Sequence, residues 1–227
     1  MVTRGPLLQR PPSRIRIRHG DRSLELRPPC PADAPALVEA VEASLPELKV
    51  FMPFAHVPQT VDQQYERLVG VQRDYWANGD KVFLMWEGEL LVACFGLHRR
   101  TLNTAGYEVG FWVRSSAAAQ GLGTVGTRTL VQLCFDHLGC DRVQLLHSAA
   151  NQGSRVIAQR SGFQVEGQLR RFTTEPTAAM LADGASAEPV TVITSLVRDD
   201  VAQLGWYESH RALVDVYDWR GVRITPA

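Results

Sequence analysis

The stretch best equipped for chemistry runs from Tyr107 to Thr124. Tyr107-Glu108-Val109-Gly110-Phe111-Trp112-Val113 reads as a strand, Ser115 to Ala119 as a link of small residues, and Gln120-Gly121-Leu122-Gly123-Thr124 as the mouth of a helix. Glycines let a backbone approach a ligand closely, and a helix N-terminus offers unpaired N–H groups at the positive end of its dipole. Such a mouth can hold a pyrophosphate without a lysine, although two glycines before a helix also make a plain turn. Glu108 shares a strand face with Gly110 and Trp112 and is a carboxylate suited to taking a proton. The same acid could instead be held in an ion pair by an arginine such as Arg99 or Arg100.

A second polar group follows at Asn151-Gln152-Gly153-Ser154, where Asn151 is placed to cap a short helix. His98, His137 and His147 sit at element ends without a partner motif and read as packing or surface histidines. Cys94 and Cys134 lie on apolar stripes and read as core. Ser161 has no G-x-S-x-G setting, so no hydrolase triad is indicated.

These residues need a frame. Arg14 to Arg18 alternates as RIRIR and turns through His19-Gly20-Asp21-Arg22 into Ser23 to Arg27, the pattern of an antiparallel hairpin. Ala32 to Ser44 reads as an amphipathic helix. Thr60, with Gln63 at capping-box spacing, opens a second helix with an apolar stripe of Tyr65, Leu68, Val69, Tyr75 and Trp76, closed by Asn78-Gly79. Between them, the proline-broken apolar link Leu45 to Gln59 reads as a lid or pocket wall. Strands follow at Lys81–Trp86, Leu90–His98 and Gly106–Arg114, then a helix at Thr124–Leu138 with Leu130, Leu133, Cys134 and Leu138 inward. A strand at Arg142–His147, a short helix at Gly153–Arg160 and strands at Phe163–Phe172 and Pro189–Val197 complete the set. Thr173 to Glu188 reads as a mobile loop. An antiparallel meander feeding a βαβ unit implies α+β on one mixed sheet.

Composition narrows the function classes. The chain has 227 residues, 45% of them hydrophobic and 21% charged, enough for one large domain with a core. Lys plus Arg and Asp plus Glu number 24 each, so bulk charge points to neither nucleic acid nor membrane. Arg4, Arg10, Arg14, Arg16, Arg18 and Arg22 make the start basic. That segment is read as a solvated tail and an edge strand rather than an RNA or ribosome footprint. Four scattered cysteines offer no metal or disulfide spacing. No apolar run reaches the roughly 18 residues of a membrane span, and the start has no signal-peptide core, so a cytoplasmic protein is expected.

Taken together, these motifs resemble those of the GNAT N-acetyltransferases. Gln120 to Gly123 is similar to their Q/R-x-x-G-x-G/A signature, YEVGFWV to the preceding strand of the RimJ/RimL-like branch, and Asn151/Ser154 with Gly162-Phe163 to that branch's N-x-x-S…G-F. The resemblance spans about Leu24 to Asp200. It departs at Val125, where Gly or Ala is usual and Gly126 comes one residue late, and at Ala158, where many members carry a tyrosine acid.

The resemblance implies a mostly antiparallel sheet with helices on both faces and a V-shaped splay between the strands holding Val113 and His147. It implies acetyl-CoA as cosubstrate, no metal, and direct transfer to an amine acceptor, either a protein N-terminal α-amine or a small-molecule amine. Gln120, Gly121, Leu122, Gly123, Thr124 and Val125 would hold the pyrophosphate. Trp112, Val113, Asn151 and Ser154 would hold the rest of the donor, with the Val113 N–H at the thioester carbonyl. Glu108 would be the base and Ser154 the acid toward the departing thiolate. The expected organisation is a basic extension with the first strand over 1–22, the acetyltransferase domain over 23–200, and a tail over 201–227 that packs on the domain or forms a homodimer surface. The alternative reading is a catalytically degenerate acyl-CoA-binding or ribosome-associated protein.

Overall fold

The computed structural model describes residues 10–77, 79–99, 106–172 and 176–224. The RIRIR alternation forms β1 (Arg14–His19), which turns through Gly20 at φ 59° into β2 (Arg22–Arg27). Ile15 faces Leu26 and Ile17 faces Leu24, and all four are fully buried. Six further strands match the expected ones, β3 (Lys81–Glu87), β4 (Leu90–His98), β5 (Gly106–Val113), β6 (Arg142–Ser148), β7 (Gln164–Arg170) and β8 (Val190–Val197), and the tail adds two that the pattern does not indicate, β9 (Val214–Tyr217) and a short β10 (Arg223–Ile224). They join one sheet in the order β10-β9-β1-β2-β3-β4-β5-β6-β8-β7. Among the described residues only β5 and β6 pair in parallel.

Helices cover both faces. On one lie α1 (Ala34–Glu42) and α3 (Val61–Trp76), which bury Leu37, Ala40 and Leu68 against Leu84 and Leu91. On the other lie α4 (Leu122–Gln132), α5 (Gln152–Arg160) and α7 (Tyr207–Arg211), over a larger core of Phe83, Phe95, Phe135, Leu130 and Leu145. Each such side chain contributes about 1.5–3 kcal/mol of burial. The capping box at α3 forms as expected: Thr60 Oγ1 accepts from Gln63 N at 3.2 Å, and Gln63 Oε1 accepts from Thr60 N at 2.9 Å.

Several expectations are corrected. The Leu45–Gln59 link is not a loop throughout: it holds α2 (Leu45–Phe51) and a 3₁₀ turn over Pro53–His56. Pro46 starts that helix rather than breaking it, because the first turn has no use for its missing N–H. The segment before Glu188 is not simply a mobile loop either. Thr177 caps α6 (Ala178–Ala182), which buries Met180, while Asp183 lies 3.8 Å from His56 of the 3₁₀ turn; Thr173 to Glu175 lie outside the described residues. On α3, Tyr65, Val69 and Trp76 are exposed, and Gln64 takes a buried place instead. The helix ends at Trp76; Asn78 lies outside the described residues.

Helix α4 opens two residues earlier than the sequence suggests, and Leu133–His137 is a π turn rather than its last α turn. The C-terminal tail packs on the chain itself. β9 pairs with β1, Gln132 donates to Tyr207 O at 2.6 Å, and the buried Asp136 receives Tyr207 Oη at 3.1 Å and Arg211 Nη2 at 2.7 Å.

Candidate active site

The parallel β5–β6 pairing lasts three rungs, Gly106–Arg142, Tyr107–Val143 and Glu108–Gln144, and then the strands part. They start in tight contact: a Cβ on Gly106 would lie 1.6 Å from Arg142 O, so only glycine fits there. Beyond the last rung β5 stays with β4. Arg114 N donates to Val92 O at 2.9 Å while Val113 sits opposite Ala93. Val113 therefore occupies a non-hydrogen-bonded rung, and its own N–H and C=O turn toward the β6 side; Phe111, two residues earlier, does the same. The result is a cleft between two strands, lined on the β5 side by backbone groups that no paired strand uses.

At the cleft's open end stands the mouth of α4. Gly121, at φ 82°, is the left-handed N-cap that turns the chain into the helix. The amides that follow, of Leu122, Gly123 and Thr124, belong to the first turn, whose donors have no carbonyl within the helix. Val125 N already donates to Gly121 O at 2.9 Å, and its side chain lies in the core. Its amide is thus engaged within the helix, which removes the reason for including it among the phosphate-facing groups.

The two late glycines serve packing. A Cβ on Gly123 would lie 2.5 Å from Ile157 Cδ1 of α5, and one on Gly126 would lie 2.0 Å from Phe95 Cζ. Gln120 is fixed from both sides: Arg22 Nη1 donates to its Oε1 at 2.9 Å, its Nε2 donates to Ser116 O at 2.9 Å, and His19 Nε2 lies 3.3 Å from its carbonyl. The hairpin tip that the sequence presents as part of a basic tail therefore braces the mouth. Nothing local in the sequence signals this, because the contact joins residues about a hundred positions apart.

Across the cleft, Asn151 caps α5, its Oδ1 accepting from Ser154 N at 2.9 Å. That leaves its side-chain amide nitrogen to act as a donor. Ala158, at the position where many GNAT enzymes carry the tyrosine, is 2% exposed within the main core. His147 is buried, its Nδ1 2.9 Å from Ser148 O, and His137 is buried too. Cys134 is in the core as expected.

Glu108 stands on the last paired rung, where Gln144 Nε2 donates to its Oε2 at 3.2 Å. It faces the α1–α3 side with Gly110 and Trp112, the latter packed beside Leu84 and Leu91. Arg99, one of the arginines weighed as its partner, places its guanidinium by Tyr107, with Nε 3.3 Å from Tyr107 Oη; Arg100 lies outside the described residues. Directly opposite Glu108 on β4 is His98, whose Nδ1 lies 2.7 Å from Asp80 Oδ2. His98, which by sequence reads as a packing or surface histidine, thus has a carboxylate partner that no local motif signals, because Asp80 is 18 positions away.

The family model described as "Acetyltransferase (GNAT) domain" matches residues 23–164, more than half of the chain. The chain belongs to the GNAT acetyltransferase family. This acetyltransferase is 28% identical over 142 residues to the "Putative ribosomal N-acetyltransferase YdaF" of Bacillus subtilis (strain 168), a match covering 62% of the chain and 77% of that protein. Its fold is that of Mycobacterium smegmatis RimJ, solved in complex with CoA-disulfide, at a TM-score of 0.75 and 18% identity over 89% of this chain and 96% of that one. RimL, described as a "Ribosomal L7/L12 alpha-N-protein acetyltransferase" and solved with coenzyme A, matches at a TM-score of 0.68 and 16% identity over 81% of this chain and 98% of that one. The similarity is thus to the RimJ/RimL-like branch, and the chain is an acyltransferase that uses acetyl-CoA as its cosubstrate. No helix among the described residues is long and apolar enough to cross a membrane, and no metal-binding cluster occurs among them. The left-handed Gly121, the free first-turn amides and the unpaired edge of β5 suit a donor with a pyrophosphate at one end and an amide-bearing arm.

Proposed function

We propose that this acetyltransferase acetylates the α-amine of a protein N-terminus, with Glu108 as the base and Ser154 as the acid. The observation that carries the reading is the position of Glu108 at the apex of the cleft, on the last rung before β5 and β6 part, with one carboxylate oxygen held by Gln144. A donor lying in the cleft would bring its thioester near this apex, and an amine reaching it from the α1–α3 side would meet the carboxylate first.

The remaining roles follow from chemistry. An α-amine with a pKa near 8 is partly neutral at pH 7, whereas a lysine amine near 10.4 is not, so one carboxylate suffices more readily for the former. The Val113 N–H, turned into the cleft, polarises the carbonyl and stabilises the oxyanion. Leu122, Gly123 and Thr124 offer their amides, and Gln120 and Gly121 shape the turn that presents them. Asn151 holds the arm through its amide nitrogen, Trp112 walls the acceptor side, and Ser154 gives a proton to the departing thiolate. The names of the relatives support the acceptor class: YdaF is named a ribosomal N-acetyltransferase, and RimL an alpha-N-protein acetyltransferase.

The test is CoA release with acetyl-CoA and peptides that begin with Ser, Ala or Met, beside N-terminally blocked peptides carrying an internal lysine. Mass spectrometry locates the acetyl group. Acetylation of free N-termini alone is expected. Acetylation of lysine or of small amines alone would refute the acceptor class, and tight acetyl-CoA binding without any transfer would favour the binding-protein alternative.

A further inference from the structure

Gly96 and Gly110 face each other across the β4–β5 ladder, one like-facing rung from the pair His98–Glu108. Neither has a positive φ, so no turn requires a glycine at these positions. What they share is the His98 ring. A Cβ on Gly96 would lie 2.4 Å from its Nε2, and one on Gly110 would lie 3.1 Å from the same atom. The first distance is far inside van der Waals contact, so a side chain at Gly96 would displace the imidazole. The two glycines form a bare patch of sheet on which the ring rests, on the face that also carries Glu108 and Trp112.

The other side of the ring is anchored. Asp80 Oδ2 lies 2.7 Å from Nδ1, and Asp80 Oδ1 accepts the backbone N–H of Arg99 at 2.9 Å. An ionised carboxylate can only accept, so it selects the tautomer with the proton on Nδ1 and leaves the lone pair on Nε2. The His98 side chain remains 28% exposed. The ring is thus oriented, with its Nε2 lone pair beside the two glycines on the sheet face that carries Glu108, and the side chain is partly in reach of water.

We propose that His98, oriented by Asp80, is a second proton acceptor for the acyl transfer and takes the first of the two protons that an incoming ammonium must lose. The proposal rests on the amine-acetylation reading above. His98 Nε2 takes one proton from R–NH₃⁺, leaving R–NH₂, whose lone pair forms the C–N bond as the carbonyl π pair moves to oxygen. Glu108 takes the second proton from the cationic nitrogen of the adduct. The oxyanion collapses, the C–S bond breaks, and Ser154 protonates the thiolate and is itself reprotonated from Glu108 through water. His98, which is partly exposed, returns its proton to solvent. The balance is R–NH₃⁺ plus acetyl-CoA giving R–NH–acetyl, CoA thiol and one H⁺.

Among the described residues, the charged and titratable groups around His98 include Asp80 before β3, Glu108 on β5, and Arg99 next in the chain. Lys81 also lies close, its ammonium turned to the last carbonyls of α3 at 2.7 Å from Tyr75 O and 2.5 Å from Ala77 O.

The probe is a Ser- or Ala-initiated peptide. His98→Gln is expected to lower kcat/KM at pH 7 about 10²-fold while acetyl-CoA affinity by calorimetry stays unchanged. The loss should shrink above about pH 8, where an α-amine arrives already neutral. Asp80→Asn leaves the ring in place but no longer selects its tautomer, so it should give a smaller loss in the same direction. Imidazole ¹⁵N shifts report the tautomer directly: Nδ1–H in the wild type, a mixture in Asp80→Asn. A His98→Gln variant with wild-type kcat/KM, or an Nε2–H tautomer in the wild type, overturns the proposal. If the wild type acetylates none of the peptides, the N-terminal acceptor class falls separately, and the tautomer still decides for or against an Nε2 base.

Discussion

Gly126→Ala sets two opposing effects against each other. In a helix interior alanine is favoured over glycine by about 1 kcal/mol. Against this, the new Cβ would lie 2.0 Å from Phe95 Cζ and 2.5 Å from both Cε atoms, where carbons need about 3.5–4.0 Å. A ring flip cannot relieve it, because Cζ lies on the flip axis. Phe95 is fully buried, with the Phe111 ring centroid 5.9 Å away, so α4 must lift from the sheet by about 1.5 Å or the strand must yield. Overpacking of this kind costs about 1–3 kcal/mol or more. With the overlap as close as 2.0 Å the upper end of that range applies, and the net expectation is a loss of about 2 kcal/mol, or roughly 4–8 °C in Tm for a chain of this size. Because the lifted helix carries the Gly121–Thr124 mouth, acetyl-CoA affinity should fall with stability. Urea unfolding and calorimetry on Gly126→Ala, Phe95→Leu and the double variant form the assay, and the smaller side chain should recover part of both losses. A Gly126→Ala protein more stable than the wild type, with full affinity, would refute the packing argument.

Three further outcomes are expected. Glu108→Gln should lower turnover about 10²-fold at pH 7 with acetyl-CoA affinity preserved, and an α-amine acceptor should regain rate from about pH 8; full activity at pH 7 would return Glu108 to a structural role. Ser154→Ala should lower kcat and kcat/KM together, whereas a rise in the KM for acetyl-CoA alone would make Ser154 a cofactor contact. His210 is buried on α7 with Nε2 3.0 Å from Thr129 Oγ1, and burial, aided by the Arg128 charge, pushes it down to about 4. Its folded value lies below its unfolded 6.5, so the unfolded chain binds the extra proton: the stability is fully present above about pH 6.5 and drains away toward pH 4, up to about 3 kcal/mol. Urea midpoints across that range should flatten in His210→Gln.

The frame was legible where periodicity is strong. RIRIR, the meander of β3 to β5 and the Thr60 capping box all form as their patterns imply. Helix α2 was hidden because Pro46, which reads as a breaker, sits in a first turn. Gly126 looked like a misplaced signature glycine, and only the ring of Phe95 beneath it shows what the missing side chain makes room for. The aromatic tail gave no sign of strand pairing, since β9 is four residues long and its partner β1 lies at the far end of the chain. Glu108 and Asn151 could be picked out because they sit in short contiguous motifs. Asp80–His98 and Arg22–Gln120 could not, because each pair is assembled by the sheet from distant positions.

The pairing of β1 with β9 also bears on how the chain is made. Ser13 Oγ donates to Asp218 O at 2.6 Å, across 205 positions of sequence. During synthesis β1 is made long before β9, and the two cannot pair until the residues between them have emerged. Through that interval the hairpin's outer edge carries unpaired backbone groups, the kind of edge on which neighbouring chains associate. The arginines spaced along β1 keep such nascent edges apart by charge, so replacing Arg14, Arg16 and Arg18 with threonine should raise aggregation during expression more than it lowers the stability of the finished protein.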